Sequence, residues 1–314
     1  MKKSLCVMIL LALVFSPAFT AGQKEAAAVE KDGVVIGYAP TTMNNPFWLA
    51  VLDGVKSVLE PAGVKIITID PQNDQSRMND QIGDLLVSGI DVLLVAPMDS
   101  AGVKPALEAC AKNNVPVVNF DTPVVDRDLV ASIVASDNYN AGVVVAKDMM
   151  EMLPKGSEIA VMHSPSGQAC IDRADGFYTT IGDYFEVVVE LDGKGDTGVT
   201  LPLAEDIMIA NPKLAAIFAV NDPSAMGCVQ ALAAHPEKSP VLIYGVDGNP
   251  DIKKLIKAGK MRATGAQSPE TIGSMSAEVA LDILADKTVE KDIVVPTFLI
   301  TAANVDQYGL DGWQ

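Results

Sequence analysis

The chain has 314 residues, a length typical of two domains, and 49% of its residues are hydrophobic, which excludes an intrinsically disordered or fibrous protein. Acidic residues outnumber basic ones by 40 to 23, giving a formal net charge of −17. A surface this negative repels phosphate backbones and anionic lipid heads, which argues against a protein that binds nucleic acid or membrane surfaces.

The N-terminus has the pattern of an export signal. Lys2 and Lys3 precede an unbroken apolar run at 5–15, which is too short to span a bilayer. Small residues around position 21 offer a cleavage site for a signal peptidase. We therefore expect 1–21 to be a cleaved signal peptide and the mature protein to be a soluble protein of the periplasm.

Short apolar runs then alternate with amphipathic stretches. In chain order the pattern predicts a strand at 34–39, a helix at 46–60, a strand at 64–70, a helix at 74–87, a strand at 91–96, a helix at 101–113 and a strand at 115–120. A second set of strands follows at 158–162, 186–191, 215–219, 241–244 and 261–266, separated by helical patterns. Fully apolar strands need cover on both faces, which is typical of parallel sheets flanked by helices. The two sets predict two doubly wound α/β domains.

The informative residues in such sheets lie just after the strands, because ligands bind beyond the carboxyl ends of parallel strands. Polar or aromatic candidates at these positions are Asn45, Phe47, Trp48, Asp121, Arg173, Asn221, Asp247 and Gln267. Taken singly, each polar residue also fits a helix cap or a surface charge. The adjacent rings of Phe47 and Trp48 fit either core packing or stacking on an apolar ligand face. Their shared placement predicts one binding site.

Cysteine and histidine provide little for catalysis. Cys110 and Cys228 lie in apolar helical patterns and are expected in the core, with a Cys170–Cys228 disulfide as the alternative. His163 lies alone in a loop rich in Ser, Pro and Gly, and contact with a ligand is left open. No set of nucleophile, base and orienting group can be assembled, so we expect a protein that is not an enzyme and holds no metal.

A G-x-G-x-x-G pattern at 193–198 suggests a dinucleotide site but does not support one. Asp192 and Asp196 would face the pyrophosphate, and Pro202 is expected to interrupt the helix that should hold it. We expect a turn-rich loop and no cofactor.

Six segments in order resemble the ribose-binding proteins and, more broadly, the pentose- and hexose-binding periplasmic proteins of ABC sugar importers. The resemblance runs from 33 to 301, and the segments are 44–48, 135–138, 172–177, 218–222, 245–248 and 263–267. It implies the type I periplasmic-binding-protein fold, with two doubly wound lobes joined by a hinge of three strands. The N-terminal lobe would comprise 33–136 and 268–296, and the C-terminal lobe 137–267 and 297–314.

The resemblance also implies a function. The protein would capture a neutral pentose, hexose or polyol between two closing lobes and deliver it to the membrane permease of an ABC importer. It would act as a monomer, with a chemoreceptor as a further partner and no nucleic acid. Carried over by position, Asn45, Phe47, Trp48 and Asp121 match ligand contacts of the first lobe, and Arg173, Asn221, Asp247 and Gln267 match those of the second.

Three further expectations concern the site. Arg173 and Asp247 should lie in an open, wetted cleft, where replacing either costs binding rather than stability. Trp48 should respond to the ligand, whereas Trp313 should lie far from the cleft.

Two positions depart from the ribose-binding pattern. Thr122 stands where ribose binders carry Arg, and Gly195 stands where they carry a second-lobe aromatic residue. Ribose is therefore one candidate among pentoses, hexoses, polyols and larger hydroxylated ligands. The alternative function is a receptor for a non-sugar solute such as a nucleoside or a furanose-like signalling molecule. A regulator of the lactose-repressor type would need a DNA-binding headpiece where this chain has an export signal.

Overall fold

The computed structural model describes residues 33–238 and 240–314, so the predicted signal peptide at 1–21 lies outside the described residues. The first elements are β1 Val35–Ala39, α1 Pro46–Leu59, β2 Lys65–Thr68, α2 Gln75–Val87, β3 Val92–Val95, α3 Lys104–Lys112, β4 Val117–Phe120 and β5 Ser132–Ser136. They are followed by α4 Asn138–Met152, β6 Glu158–His163, α5 Gln168–Ile181, β7 Glu186–Asp192, α6 Thr197–Ala210, β8 Leu214–Ala219, α7 Asp222–Ala234, β9 Leu242–Asp247, α8 Pro250–Lys257 and β10 Ala263–Ala266. The last are α9 Pro269–Leu284, β11 Asp292–Val295 and β12 Phe298–Thr301.

The strands form two six-stranded sheets with the same pattern of crossovers. The first has the order β2-β1-β3-β4-β5-β11 and the second the order β7-β6-β8-β9-β10-β12. All pairs are parallel except β10 with β12. We call the part built on the first sheet the first lobe and the part built on the second sheet the second lobe. The predicted doubly wound architecture with two lobes is confirmed.

The chain passes between the two sheets three times: after β5, after β10 and after β11. The first and third crossings hydrogen-bond to each other. The Asp137 amide donates to the Val295 carbonyl over 2.8 Å, and the Thr297 hydroxyl donates to the Asp137 carbonyl over 2.9 Å. These bonds satisfy backbone groups where the sheets end and tie the crossings into one hinge.

The helix crossing of α4 and α5 sets the position of one predicted site residue. A Cβ atom on Gly142 would lie 1.9 Å from the carbonyl oxygen of Arg173, and one on Gly176 would lie 2.0 Å from that of Tyr139. Only glycine permits backbones to approach so closely. The pair therefore holds Arg173, on α5, against the start of α4 at the hinge.

One expectation about the second lobe is corrected, and one alternative is excluded. Pro202 lies inside the continuous helix α6, so it does not interrupt the helix. The proline costs that helix one backbone hydrogen bond, and packing of α6 on α7 compensates. Cys170 and Cys228 carry free thiols, so the alternative disulfide is absent. Cys110 and Cys228 are fully buried, as predicted. None of the helices in the described part of the chain combines the length and apolarity required to cross a bilayer.

Candidate ligand-binding cleft

A cavity of about 390 Å³ lies between the two lobes at the carboxyl ends of their strands. All eight residues singled out from the sequence line it: Asn45, Phe47, Trp48 and Asp121 from the first lobe, and Arg173, Asn221, Asp247 and Gln267 from the second. A volume of this size accommodates a small molecule such as a monosaccharide. The cleft therefore brings together residues that are far apart in the chain, of which Asn45 and Gln267 are separated by 222 positions.

Asn45 both begins a helix and lines the cleft. Its Oδ1 atom accepts from the Phe47 amide over 3.0 Å, capping α1, and Pro46 occupies the first turn. The cap interpretation and the site interpretation are compatible, since the cap uses only the oxygen. The Nδ2 group is the part of this side chain that can donate to a ligand.

The aromatic residues at the cleft form a continuous cluster. Phe47 contacts Trp48 edge-on, with ring centroids 5.0 Å apart, and Trp48 contacts Phe120 at 6.0 Å. Phe47 and Trp48 are 4% and 6% exposed, so both pack in the first-lobe core while they line the cleft. The expectation that Trp313 is remote is wrong, because its ring lies 5.6 Å from that of Phe47. The backbone beyond β12 returns to the cleft, which position in the sequence does not reveal.

Asp121 is a buried carboxylate in a left-handed backbone conformation, with φ of 57°. Its amide donates to the Val134 carbonyl over 2.8 Å, and its Oδ2 atom accepts from the Thr122 hydroxyl over 2.9 Å. Burial raises the pKa of Asp121 to about 6, against the lowering effects of Arg173 and of the Thr122 hydrogen bond. Thr122, where ribose binders carry Arg, thus donates one neutral hydrogen bond to this carboxylate.

Arg173 is held by three protein groups rather than by solvent. Its Nε donates to Asn138 Oδ1 over 2.8 Å, and one terminal nitrogen donates to the Val220 carbonyl over 2.9 Å and to Asp247 Oδ1 over 3.2 Å. Arg173 and Asp247 are 3% and 7% exposed. The expectation of an open, wetted cleft around them is therefore wrong. A buried ion pair of this kind affects stability as well as binding, because loss of one partner leaves the other charge buried and unpaired.

Asp247 lies at the centre of the second-lobe contacts. Its Oδ1 atom also accepts from Gln267 Nε2 over 2.7 Å, and its Oδ2 atom accepts from the Asp222 amide over 3.3 Å. The backbone of Asp247 has φ of 145°, a region that non-glycine residues rarely occupy. Such strain persists only where surrounding contacts hold it, and it is common at ligand sites.

Asp222 lines the cleft but is not among the eight predicted contacts. It is 1% exposed, and its carboxylate accepts from the Asn249 amide over 2.7 Å and from the Thr264 hydroxyl over 2.8 Å. Burial first, and then the nearby Asp247 carboxylate, raise the pKa of Asp222 to about 8. The available signal was an acidic residue in the first turn of α7 directly after Asn221, which also fits an ordinary helix start.

The loop that begins the glycine pattern at 193–198 explains why Gly195 departs from the ribose-binding pattern. Gly195 has φ of +63°, and a Cβ atom there would lie 2.9 Å from Asn221 Nδ2. Asn221 caps α7 through Oδ1 and donates through Nδ2 to the Gly195 carbonyl over 3.1 Å. The loop therefore folds onto Asn221 and leaves no room for a ring at position 195. Lys194, beside it, lines the cleft.

The two lobes also contact each other directly at the rim of the cleft. Ser100, after β3, donates through its amide to the Ser166 carbonyl over 3.1 Å, and its hydroxyl oxygen accepts from the Gln168 amide over 2.9 Å. Ser166 and Gln168 follow β6 in the second lobe. These reciprocal bonds join the lobes in a closed arrangement. Nothing in the local sequence indicates this contact, since serines in loops are common.

Cys170 and His163, which were also considered from the sequence, differ in whether they line the cleft. Cys170, on α5, lines the cleft, and burial raises the pKa of its thiol to about 11, so it stays protonated. His163, at the end of β6, is not among the residues that line the cleft. Its Nδ1 atom is buried, and burial lowers the pKa of the ring below its ordinary value.

Comparison with known proteins identifies the family. Residues 36–288 match the periplasmic binding protein domain. The ribose import binding protein RbsB of Bacillus subtilis (strain 168) is 33% identical over 306 residues, covering 96% of this chain and 99% of that protein. Two solved ABC transporter solute-binding proteins superpose with TM-scores of 0.83. One, from Mycobacterium smegmatis with bound glycerol, is 27% identical and covers 89% of this chain and 98% of that chain.

The other, from Agrobacterium vitis with bound D-fucose, is 25% identical and covers 87% of this chain and 97% of that chain. The resemblance seen in the six sequence segments is thereby confirmed along nearly the whole described chain. The protein belongs to the periplasmic binding protein domain family.

Proposed function

We propose that the protein is the solute-binding component of an ABC importer and captures a neutral pentose, hexose or polyol between its lobes. The observation that carries the proposal is a cavity lined by hydrogen-bonding and aromatic residues of both lobes. A ligand that contacts both sides favours the closed arrangement, because only that arrangement makes all the contacts. The relatives named above, for ribose, glycerol and D-fucose, support the ligand class.

The polar groups suit hydroxyl donors. Asp121 Oδ1 and Gln267 Oε1 are buried acceptors that lack a hydrogen-bond donor among the described residues. Leaving such atoms unpaired costs free energy, and a ligand hydroxyl that donates to them recovers it. The rings of Phe47 and Trp48 can cover the C–H faces of a sugar. The proposed ligand contacts are the eight residues singled out from the sequence.

The proposal also covers the export of the protein, the bounds of its lobes, its oligomeric state and its partners. We assign 1–21 as a signal peptide for export to the periplasm, 33–136 with 268–296 as the N-terminal lobe, and 137–267 with 297–314 as the C-terminal lobe. A monomer would deliver the ligand to the membrane permease, and a chemoreceptor would be a second partner of the closed form. Light scattering of the purified protein tests the monomer, and mass spectrometry of the exported protein tests cleavage.

A thermal-shift screen tests the ligand class. D-ribose, D-allose, D-fucose, myo-inositol and glycerol are compared with adenosine, which represents the non-sugar alternative. A ligand present at about 100 times its Kd stabilises the folded protein by about 2.7 kcal/mol, so a cognate sugar or polyol should raise the Tm by several degrees. A response to adenosine alone would favour the non-sugar receptor and contradict the proposal.

A matched pair of variants locates the binding. Asn45→Ser keeps an oxygen that can cap α1 but shortens the side chain, so it should weaken binding without unfolding the helix. Asn113→Ser, at the exposed end of α3, should leave the affinity unchanged. Equal affinities for both variants would show that the ligand lies elsewhere.

A further inference from the structure

Residues 309–314, which we call the C-terminal strap, contact both sides of the proposed binding site. The ring of Trp313 packs edge-on against Phe47 of the first lobe, with centroids 5.6 Å apart. The Nε2 group of Gln314 donates to the backbone carbonyl of Asp247, at the end of β9 in the second lobe, over 3.1 Å. Two neighbouring residues of the strap thus each contact a residue that lines the cleft.

Gln314 bridges two adjacent strand ends of the second lobe. Its Nε2 group donates to the carbonyl of Gln267 as well as to that of Asp247. Gly248 leaves the room that this requires, since a Cβ atom there would lie 2.3 Å from Gln314 Nε2. The side chain therefore fills a defined space directly behind two proposed ligand contacts.

The hydrogen bond from Gln314 to the Asp247 carbonyl is made at a residue with a strained backbone. Asp247 has φ of 145°, a conformation that needs support from its surroundings. Its carbonyl oxygen is held by the Gln267 amide over 2.9 Å and by Gln314 Nε2. The backbone dihedral angles of Asp247 set the direction of its side chain. A group that fixes the Asp247 carbonyl therefore also restricts the position of the carboxylate.

A buried lysine anchors the strap. Lys253, on α8, is fully buried, and its Nζ group donates to the Gly312 carbonyl over 2.7 Å, the Tyr308 carbonyl over 3.2 Å and Gln314 Oε1 over 3.3 Å. Burial lowers the pKa of this ammonium group. Three acceptors from 308–314 surround one buried cation, which indicates a specific docked conformation rather than a loosely packed segment.

We propose that Trp313 and Gln314 are positioning residues for ligand binding, which hold the ring of Phe47 and the carboxylate of Asp247 in the geometry that receives the ligand. This inference rests on the proposed function, because Phe47 and Asp247 are proposed ligand contacts. A merely structural strap would change the Tm of the free and the bound protein together and would leave the affinity unaltered.

The variant Gln314→Glu distinguishes a positioning role of the strap from a merely structural one. The variant keeps Oε1 as an acceptor for Lys253 and replaces the Nε2 donor by an oxygen that faces two carbonyl oxygens. We expect the Kd for the sugars that bind among D-ribose, D-allose, D-fucose and myo-inositol to rise about tenfold, since two hydrogen bonds are lost. Trp313→Ala should weaken binding similarly, and Trp313→Phe should recover most of the affinity.

The matched control is Asp311→Ala, in the same strap. The Asp311 side chain is 95% exposed and lies 3.6 Å from Lys254 Nζ, so its removal should leave the Kd unchanged. Titrations by calorimetry are made at a temperature at which far-UV circular dichroism shows every variant folded. Unaltered affinity in both Gln314→Glu and Trp313→Ala would overturn the proposal, as would an equal loss in Asp311→Ala.

Hydrogen–deuterium exchange tests the same proposal without a ligand. The Gln267 amide donates to the Asp247 carbonyl that Gln314 holds, so its exchange should quicken at least severalfold in Gln314→Glu and stay unchanged in Asp311→Ala. Unchanged exchange in Gln314→Glu would overturn the positioning role. If none of the four sugars binds the wild type, the proposed function fails for them, and exchange alone decides the role of the strap.

Discussion

The hydroxyl of Thr122 donates to Oδ2 of Asp121 over 2.9 Å, while Oδ1 of the same carboxylate has no hydrogen-bond partner within the described chain. One neutral hydrogen bond does not offset the cost of burying the charge, and the pKa of Asp121 is accordingly raised to about 6. The first lobe thus presents a carboxylate that is unfavourable to ionise until a ligand donates to it.

Replacing Asp121 by Asn should stabilise the protein at neutral pH while it impairs binding. The pKa in the folded state, about 6, lies above the ordinary value of 3.8, so between these values the folded state binds more protons than the unfolded state. Stability therefore falls as the pH rises through this window. We expect Asp121→Asn to increase the free energy of unfolding by about 1–3 kcal/mol at pH 7 and by less at pH 4.

Urea denaturation at both pH values measures this effect. Asp128→Asn is the control, because Asp128 is an exposed carboxylate of the same lobe. A gain in Asp121→Asn that is equal at pH 4 and pH 7 would contradict titration as its cause.

Replacing Arg173 by Met should cost both stability and binding. It leaves the buried Asp247 carboxylate without its cation, and we expect the free energy of unfolding to fall by about 3–5 kcal/mol. Adding Asp247→Asn should recover part of the loss, because the unpaired charge is removed. Denaturant titrations of the two single variants and the double variant measure the coupling. Lys155→Met, which breaks an exposed pair with Asp183, should have no measurable effect.

Replacing Ser100 by Ala should open the protein in the absence of ligand. The variant removes the oxygen that accepts from the Gln168 amide across the cleft. One hydrogen bond contributes about 0.5–1.5 kcal/mol, so the ratio of closed to open protein should fall by about two- to tenfold. Small-angle scattering should then show a larger radius of gyration, which a saturating ligand restores. The control Ser274→Ala removes a hydroxyl that donates within α9, and an equal expansion there would count against the interlobe contact.

Both tryptophans should report ligand binding by fluorescence. The rings of Trp48 and Trp313 each lie against Phe47, with centroid distances of 5.0 and 5.6 Å. A ligand that contacts Phe47 changes the surroundings of both indoles. We expect Trp48→Phe and Trp313→Phe each to retain part of the ligand-induced change. Complete loss of the signal in Trp48→Phe would show that Trp313 is insensitive to the ligand.

Local sequence pattern predicted most helices and strands of each lobe, including β10, but not β5, β11 and β12, the other three strands next to the hinge. The fully apolar strand β3 is recognisable by itself because both of its faces are covered. Strand β11 is only four residues long, exposes two of them, and owes its structure to pairing with β5, far away in the chain. Such a strand has no local signature, since its partner is set by the tertiary fold.

Sequence pattern predicted eight residues that line the cavity but not how deeply they are buried or what they contact. Placement after strands brought Asp121 and Asp247 to one cavity, because carboxyl ends of parallel strands share one edge. That Arg173 is buried could not be predicted, since arginine is usually exposed and its three acceptors come from separate segments. The approach of Trp313 depends on the path of the chain after β12, which carries no periodic pattern.

The three crossings between the sheets also govern how the protein can fold. The Ser132 hydroxyl donates to the Glu290 carbonyl across 158 residues, and the Asn140 side chain donates to the Thr297 carbonyl across 157. Closing such long loops costs entropy before any contact offsets it, so folding should be slow. The chain must be synthesised as far as residue 295 before the first lobe can complete its sheet, because β11 is its last strand. Until then the first sheet lacks its edge strand β11, and the paired edge of β5 stays uncovered.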